Sequence, residues 1–390
     1  MQKKLIALAV VAAFSTSAYA DATVYGAVDA AVAQLSGSGI KSDMIAVSGG
    51  AASSRIGVNA AEDLDNGMKV VVNLEYSLDT QNAAGSTGAQ TCTVTGAAEA
   101  TAGTPATCSV STGSNGSGIG ATRQALLGLA GGFGTVATGY LQTTGYDWQG
   151  KFDPVSGSLV SPLQSMNKGM LIGSTAAAAR APRALAYISP DMGGVTVAVN
   201  YTTELSGGLG AIGQPSASQY VKATAMLVSA TYAAGPLTVG GVFASMDGGK
   251  TAAGVTNTDV SDVALGASYD LGVVKLLGTY QNSKVTPGTG SSLTRKAMSL
   301  SAVIPAGPGL VGVQYAAHKA DASATNAGAS GFLVGYLLPM SKTVLAYAAY
   351  ESVKNDSAVN SFTADNNALA GAVDLGGSSS VIAVGLRKKF

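Results

Sequence analysis

The sequence predicts an all-β chain: a transmembrane, antiparallel, up-and-down β-barrel of about 16 strands. Three observations predict it. Charged residues make up only 11% of the 390 and mean hydropathy is +0.30. Yet no uncharged apolar run of about 18 residues occurs, which excludes spanning helices. Short segments of alternating apolar and polar residues recur between Gly-, Ser-, Thr- and Asn-rich stretches, and tyrosine (15) outnumbers phenylalanine (7), as strands favour. The connections between these segments are short and long by turns. A barrel that crosses a membrane asymmetrically requires that order, and a soluble sandwich does not.

Residues 1–20 read as a secretory signal: Lys3 and Lys4, an apolar stretch from Leu5 to Phe14, then Ala18-Tyr19-Ala20 before Asp21. The barrel is expected over residues 21–390. Without Lys3 and Lys4, 20 basic residues face 22 acidic ones, a net charge of about −2, which points to no nucleic-acid partner.

Thr23 to Val32 sets Val24, Gly26, Val28, Ala30 and Val32 on one face and Tyr25, Ala27, Asp29 and Ala31 on the other. A loop is expected over 34–52. Ser54 to Asn59 then puts Ile56 and Val58 outside and Arg55 and Asn59 inside. A turn at Glu62–Gly67 leads into the clearest strand, where Met68, Val70, Val72, Leu74, Tyr76 and Leu78 oppose Lys69, Val71, Asn73, Glu75, Ser77 and Asp79. One face suits lipid and the other water. Further strands are expected near 122–130, 134–140, 181–189, 194–203, 222–233, 236–246, 261–270, 273–282, 295–304, 308–318, 330–338, 341–351 and 380–390. Gly131-Gly132-Phe133, Pro190–Gly193, Ala234-Gly235, Pro305-Ala306-Gly307 and Pro339-Met340 are turn chemistry. Long loops near 80–121, 141–180, 204–221, 247–260, 283–294, 319–329 and 352–379 alternate with them.

The closing segment, Val381 to Phe390, sets Ile382, Val384, Leu386 and Phe390 on one face and Arg387 and Lys389 on the other. It is expected to pair with the first strand and remove the free edge. Cys92 and Cys108 are the only cysteines, with 15 residues between them. An oxidising compartment favours a disulfide over free thiols, restricting that loop by roughly 3 kcal/mol in the chain-entropy model.

Val24-Tyr25-Gly26 with Asp29, Ser54-Arg55-Ile56-Gly57 with Glu62-Asp63-Leu64, Arg123-Gln124-Ala125, Phe133-Gly134-Thr135-Val136, Tyr146-Asp147 before Asp153-Pro154, and the closing Val384–Phe390 together resemble the Gram-negative general porins, especially the β-proteobacterial type. The resemblance covers the whole chain after residue 20. It implies a homotrimeric outer-membrane diffusion channel for ions and small hydrophilic solutes, without cofactor, metal or enzymatic chemistry. It implies contact with outer-membrane lipid and lipopolysaccharide, and a terminal Phe390 read by the barrel assembly machinery. A third long loop folds into the lumen of such barrels and narrows it. Carried over by position, Arg55, Arg123 and Arg180 are wall cations facing that loop, and Asp147 and Asp153 are loop acids. Three arginines against two acids imply a weak anion lean. Gly139-Tyr140 stands where relatives carry Gly-Arg, so one wall cation is missing, and Lys388 falls on the lipid-facing register.

Blander readings stand beside these. The arginines also serve as solvated wall residues, and Asp153 before Pro154 also suits a turn. Lys69 and Glu75 line the pore below the neck or simply keep it wet. Trp148 and Tyr146 read as packed loop anchors rather than a solute slide. Tyr76, Tyr187, Tyr201, Tyr280 and Tyr350 fit interfacial girdles. His318, the sole histidine, has no hydrolase pattern around it. The alternative to a channel is a structural or adhesive barrel with an occluded lumen.

Overall fold

The computed structural model describes residues 21–64, 66–81, 93–94, 108–109, 119–173, 179–203, 223–250, 257–321, 327–364 and 373–390. The signal segment expected over residues 1–20 lies outside them. The wall comprises β1 (Asp21–Gly37), β2 (Ile40–Ser48), β3 (Arg55–Asp63), β4 (Lys69–Leu78), β7 (Ile119–Gly131), β8 (Gly134–Gln142), β9 (Arg180–Ile188), β10 (Val195–Thr202), β11 (Thr224–Ala234), β12 (Leu237–Asp247), β13 (Asp259–Asp270), β14 (Lys275–Thr286), β15 (Leu293–Ala306), β16 (Gly309–Asp321), β17 (Gly328–Pro339), β18 (Val344–Asn355) and β19 (Ser378–Lys389). Two further short strands, β5 (Thr93–Val94) and β6 (Cys108–Ser109), form a separate ladder in the second long loop. The pairing expected of Cys92 with Cys108 lies outside the described residues.

Every neighbouring pair in the wall is antiparallel, and β19 returns to pair with β1 from Ala27↔Lys389 to Gly37↔Ser379. Phe390 exchanges both backbone hydrogen bonds with Gly26, at 3.0 and 3.1 Å. The sheet has 17 strands, of which β2 and β3 are two lengths of one stave, so the closed barrel has 16. Closure satisfies the backbone groups that lipid could not.

The expected loop over 34–52 is instead mostly wall. β1 continues to Gly37 and β2 runs back beside it, with Ala30 opposite Ser48 and Gly37 opposite Ile40. The outward residues here, Gln34, Ser36 and Ser42, are polar and bond one another, Gln34 Nε2 donating to Ser42 Oγ at 2.7 Å. Met44, opposite Gln34, stays exposed among them, so the apolar half of the alternation is thinned on this outer face. Between β2 and β3 the ladder breaks at residues 49–54. Asp29 of β1 holds the break: its carboxylate accepts the N–H groups of Gly50 (2.9 Å), Ala51 (3.2 Å) and Ala52 (2.9 Å) and the hydroxyl of Tyr347.

Side-chain alternation follows the sequence reading. Val24, Val28 and Val32 are exposed on the outer face while Ala27, Asp29 and Ala31 are buried inside. Small inward residues leave room for the third long loop. That loop carries α1 (Thr144–Phe152) and α2 (Pro162–Met166) into the lumen. The Thr143 hydroxyl caps α1 by accepting Tyr146 N–H, and Asp147 in the first turn suits the helix dipole. Ser161 caps α2 and Pro162 starts it.

Candidate functional site: the charged neck

The infolded loop is fixed to one half of the wall. Trp148 and Phe152 of α1 are buried, their rings 5.0 Å apart, against glycines of β12 and β13. A Cβ built on Gly266 would stand 2.5 Å from Phe152 Cδ2, and one on Gly240 would stand 2.9 Å from Trp148 Nε1. Glycine in mid-strand weakens a sheet, and here it makes the recess that receives the anchors. Burying two aromatic side chains contributes roughly 1.5–3 kcal/mol each.

Polar bonds add direction. Asp262 Oδ2 accepts Leu171 N–H (2.5 Å), Ile172 N–H (3.2 Å) and Gln281 Nε2 (3.0 Å). Arg295 Nη1 donates to Gly169 O at 3.0 Å, and His318 Nδ1 bonds Met166 O at 2.8 Å. Asp153 is 2% exposed: its Oδ1 accepts Val155 N–H (3.1 Å) and Gln314 Nε2 (3.0 Å), and its Oδ2 accepts the Ser161 hydroxyl (3.0 Å). Burial pushes this carboxyl above the usual carboxylate range despite those three donors.

Across the lumen stands a wall of cations from β3, β7, β9 and β19. Arg123 Nε lies 2.6 Å from Glu75 Oε1, and Arg55 Nε lies 3.4 Å from Glu75 Oε2. Tyr25 Oη donates to Glu75 Oε2 at 3.1 Å and accepts from Asn73 Nδ2 at 2.8 Å. Arg180 donates from Nε to Arg123 O (2.7 Å) and from Nη1 to Ala179 O (2.8 Å), with its guanidinium 5.0 Å from the centroid of Tyr146. Arg55, Glu75, Arg123 and Arg387 on the wall, with Tyr146 and Asp147 on the loop, border a space of about 510 Å³ between them. Asp147 faces it and accepts Gln142 Nε2. Protein crowds the neck on both sides, so desolvation raises the Asp147 carboxyl, outweighing the Gln142 bond and the attraction of Arg180 and Lys151.

Arg55, Arg123 and Asp147 therefore come together across one space, and Arg180 stands beside it, bonded to the Arg123 carbonyl and set over the Tyr146 ring. Asp153 borders that space, but its carboxylate is turned into the loop, where it ties α1 to α2 and to the wall. Lys69 and Glu75 part company. Lys69 pairs with Asp63 at 2.9 Å near the Glu62–Gly67 turn, both exposed. Glu75 is 6% exposed and lies in the neck rather than below it. Trp148 is a buried anchor, whereas Tyr146 lines the opening beneath Arg180. Arg387 is the residue that sequence reasoning passed over. Its register was read as inward, and the pairing of Asp29 with Arg387 on one side of β1 and Ala27 with Arg55 on the other brings it to the neck. Among the described residues no group of three metal-ligating side chains occurs.

A closed barrel with an infolded loop and a charged neck defines a channel protein. The chain belongs to the Gram-negative porin family, whose model matches residues 7–358. Outer membrane porin protein 32 of Delftia acidovorans is 28% identical over 394 residues, covering 100% of both chains. Among solved structures, an anion-selective porin from Comamonas acidovorans superposes with a TM-score of 0.74 at 24% identity, covering 95% of this chain and 100% of that one. OmpT, an outer membrane protein of Vibrio cholerae, gives 0.62 at 14% identity, over 96% and 99%.

Proposed function

We infer that the barrel is a passive, water-filled outer-membrane channel for ions and small hydrophilic solutes, with a neck that favours anions. The observation that carries the preference is the charge balance of the neck. Arg55, Arg123 and Arg387 border the opening, against Glu75 and Asp147, while the Asp153 carboxylate is turned into the loop. Glu75 is shared between Arg55 and Arg123, leaving Arg387 at the opening, backed by Arg180 against the Arg123 carbonyl and the Tyr146 ring, to set the sign of the field. The preference stated in the name of the Comamonas acidovorans porin supports the same reading. A charged ring at a narrow point selects ions by this field without any chemistry.

Removal of residues 1–20 on export, a homotrimer, recognition of Phe390 by the assembly machinery, contact with lipopolysaccharide and a Cys92–Cys108 bond complete the proposal. The test is planar-bilayer recording in a salt gradient. Discrete ohmic steps with a reversal potential on the anion side are expected. A cation-side reversal potential would overturn the preference, and absence of steps would favour the occluded barrel.

A further inference from the structure

The break between β2 and β3 is larger than a ladder irregularity. Ala30 stands opposite Ser48 and Ala27 opposite Arg55, so residues 49–54 face only Val28 and Asp29. An ordinary β-bulge adds a single residue to one strand. Here six stand against two, and the surplus must leave the plane of the wall. All six, Gly-Gly-Ala-Ala-Ser-Ser, are small and uncharged.

The segment leaves the wall inwards. Ala51, Ala52 and Ser53 border the space at the neck. Ala51 packs on the lumen cluster that contains Leu159 and Leu163, and Gly50 O accepts Leu159 N–H of the infolded loop at 2.8 Å. Arg55 Nη1 donates to Ser53 O at 3.3 Å. These six residues therefore touch a neck cation at one end and the infolded loop at the other.

Their position is fixed from behind. The successive N–H groups of Gly50, Ala51 and Ala52 converge on the Asp29 carboxylate, a backbone nest of the kind that receives an anion. Ser54 closes the far end, its hydroxyl accepting Asp29 N–H (3.0 Å) and donating to Asp29 O (2.9 Å). Tyr347 of β18 donates to the same carboxylate. A Cβ on Gly50 would stand 2.1 Å from Tyr347 Oη and 2.9 Å from Ala31 Cβ, so the tightest point admits only glycine. Asp29 and Tyr347 are buried, and neither borders the opening. A carboxylate withdrawn from water is costly unless its bonds are met, and here every bond goes to holding the segment.

We propose that residues 49–54 are a second jaw of the neck, built from the wall itself, that sets the largest solute to pass, with Asp29 and Tyr347 as its positioning residues. The proposal rests on the channel reading above and divides the neck by task. The arginines, Glu75 and Asp147 set the sign of the field, and the uncharged jaw sets the width.

The experiment measures single-channel conductance in planar bilayers, and the largest polyethylene glycol that still lowers it, for variants whose heat-modifiable gel mobility shows a folded barrel. Deletion of residues 50–53 leaves Gly49 and Ser54 opposite Asp29 and Val28, the count an unbroken ladder needs. Conductance should rise and larger polymers should enter. Ala52→Leu should lower both, while the anion-to-cation ratio moves far less than the about sevenfold expected for a neck charge. Asp29→Ala should raise the polymer cut-off and leave the reversal potential near that of the parent. Asp29→Asn, which keeps one acceptor oxygen, should fall between. A folded deletion variant with the conductance and cut-off of the parent would overturn the proposal. So would an Asp29→Ala variant that shifts the reversal potential at an unchanged cut-off. If the deletion variant does not fold, Ala52→Leu decides, and parent values there overturn the jaw. A silent parent would strike the channel reading and the jaw with it, whereas a conducting parent matched by its variants strikes the jaw alone.

Discussion

Arg123 and Glu75 are neighbours across adjoining strands, with Nε and Oε1 2.6 Å apart and the carboxylate shared with Arg55. The bridge holds two guanidiniums together on the wall, and it cancels part of the field they would otherwise project. Glu75→Gln removes that cancellation. The anion-to-cation permeability ratio should rise about sevenfold, since one charge some 7 Å from the ion path in a water-like dielectric shifts anion and cation by about 0.6 kcal/mol each in opposite senses. Arg123→Ser and Arg387→Gln should lower it by a similar factor. Reversal potentials in a salt gradient measure all three, and an unchanged ratio in every variant would place the neck elsewhere.

Acid should sharpen the preference. Asp147 has its carboxyl raised by desolvation, so it takes up a proton at a pH where an ordinary aspartate, near 3.9, is still ionised. As pH falls from neutral through that raised value, the loop side of the neck loses a negative charge and the anion-to-cation ratio increases. Asp147→Asn should show the higher ratio already at neutral pH and a flatter response. A ratio that falls on acidification would contradict the assignment.

Gly266 tests the seat of the loop. With only 2.5 Å between a built Cβ and the Phe152 ring, Gly266→Val must push α1 away from the wall and into the opening. Single-channel conductance should drop while heat-modifiable mobility shows an intact barrel. Conductance equal to that of the parent would mean the loop does not rest on this recess.

The polar rivets should control steadiness rather than charge. Asp262→Ala leaves two buried N–H groups without their acceptor, a cost of about 1–3 kcal/mol each, and open-channel current noise should grow. Asp153→Asn should act the same way and shift the reversal potential little, since its carboxylate faces Gln314 and Ser161. A large shift in Asp153→Asn with quiet currents would reverse these roles.

The staves were legible because lipid outside and water inside impose a two-residue period, as in Val24, Val28 and Val32 against Ala27, Asp29 and Ala31. The period fades where the outer face turns polar: Ile40–Ser48 reads as loop although it pairs with β1, because Ser42 and Ser48 interrupt its outward side while Val47 is buried inside. The neck was legible in its cations and less so in its acids. Register assigns Glu75 and Arg387 to the inside, but their height depends on the stagger between strands, which no local pattern encodes. Asp153 borders the same space, but its carboxylate is held by Gln314, 161 residues away, a contact no local pattern encodes. Adjacent Pro154 gave no sign of it.

The seam between β1 and β19 has a consequence for biogenesis. Arg55 stands beside Ala27 on one edge of β1, and Arg387 stands beside Asp29 on the other. The two guanidiniums therefore share one opening only after the last stave has docked on the first. A half-inserted intermediate would be permeable before it was discriminating, so the filter matures in the same event that seals the wall. Selectivity is then a readout of completed assembly, and a leak without ion preference would report a barrel still open at its seam.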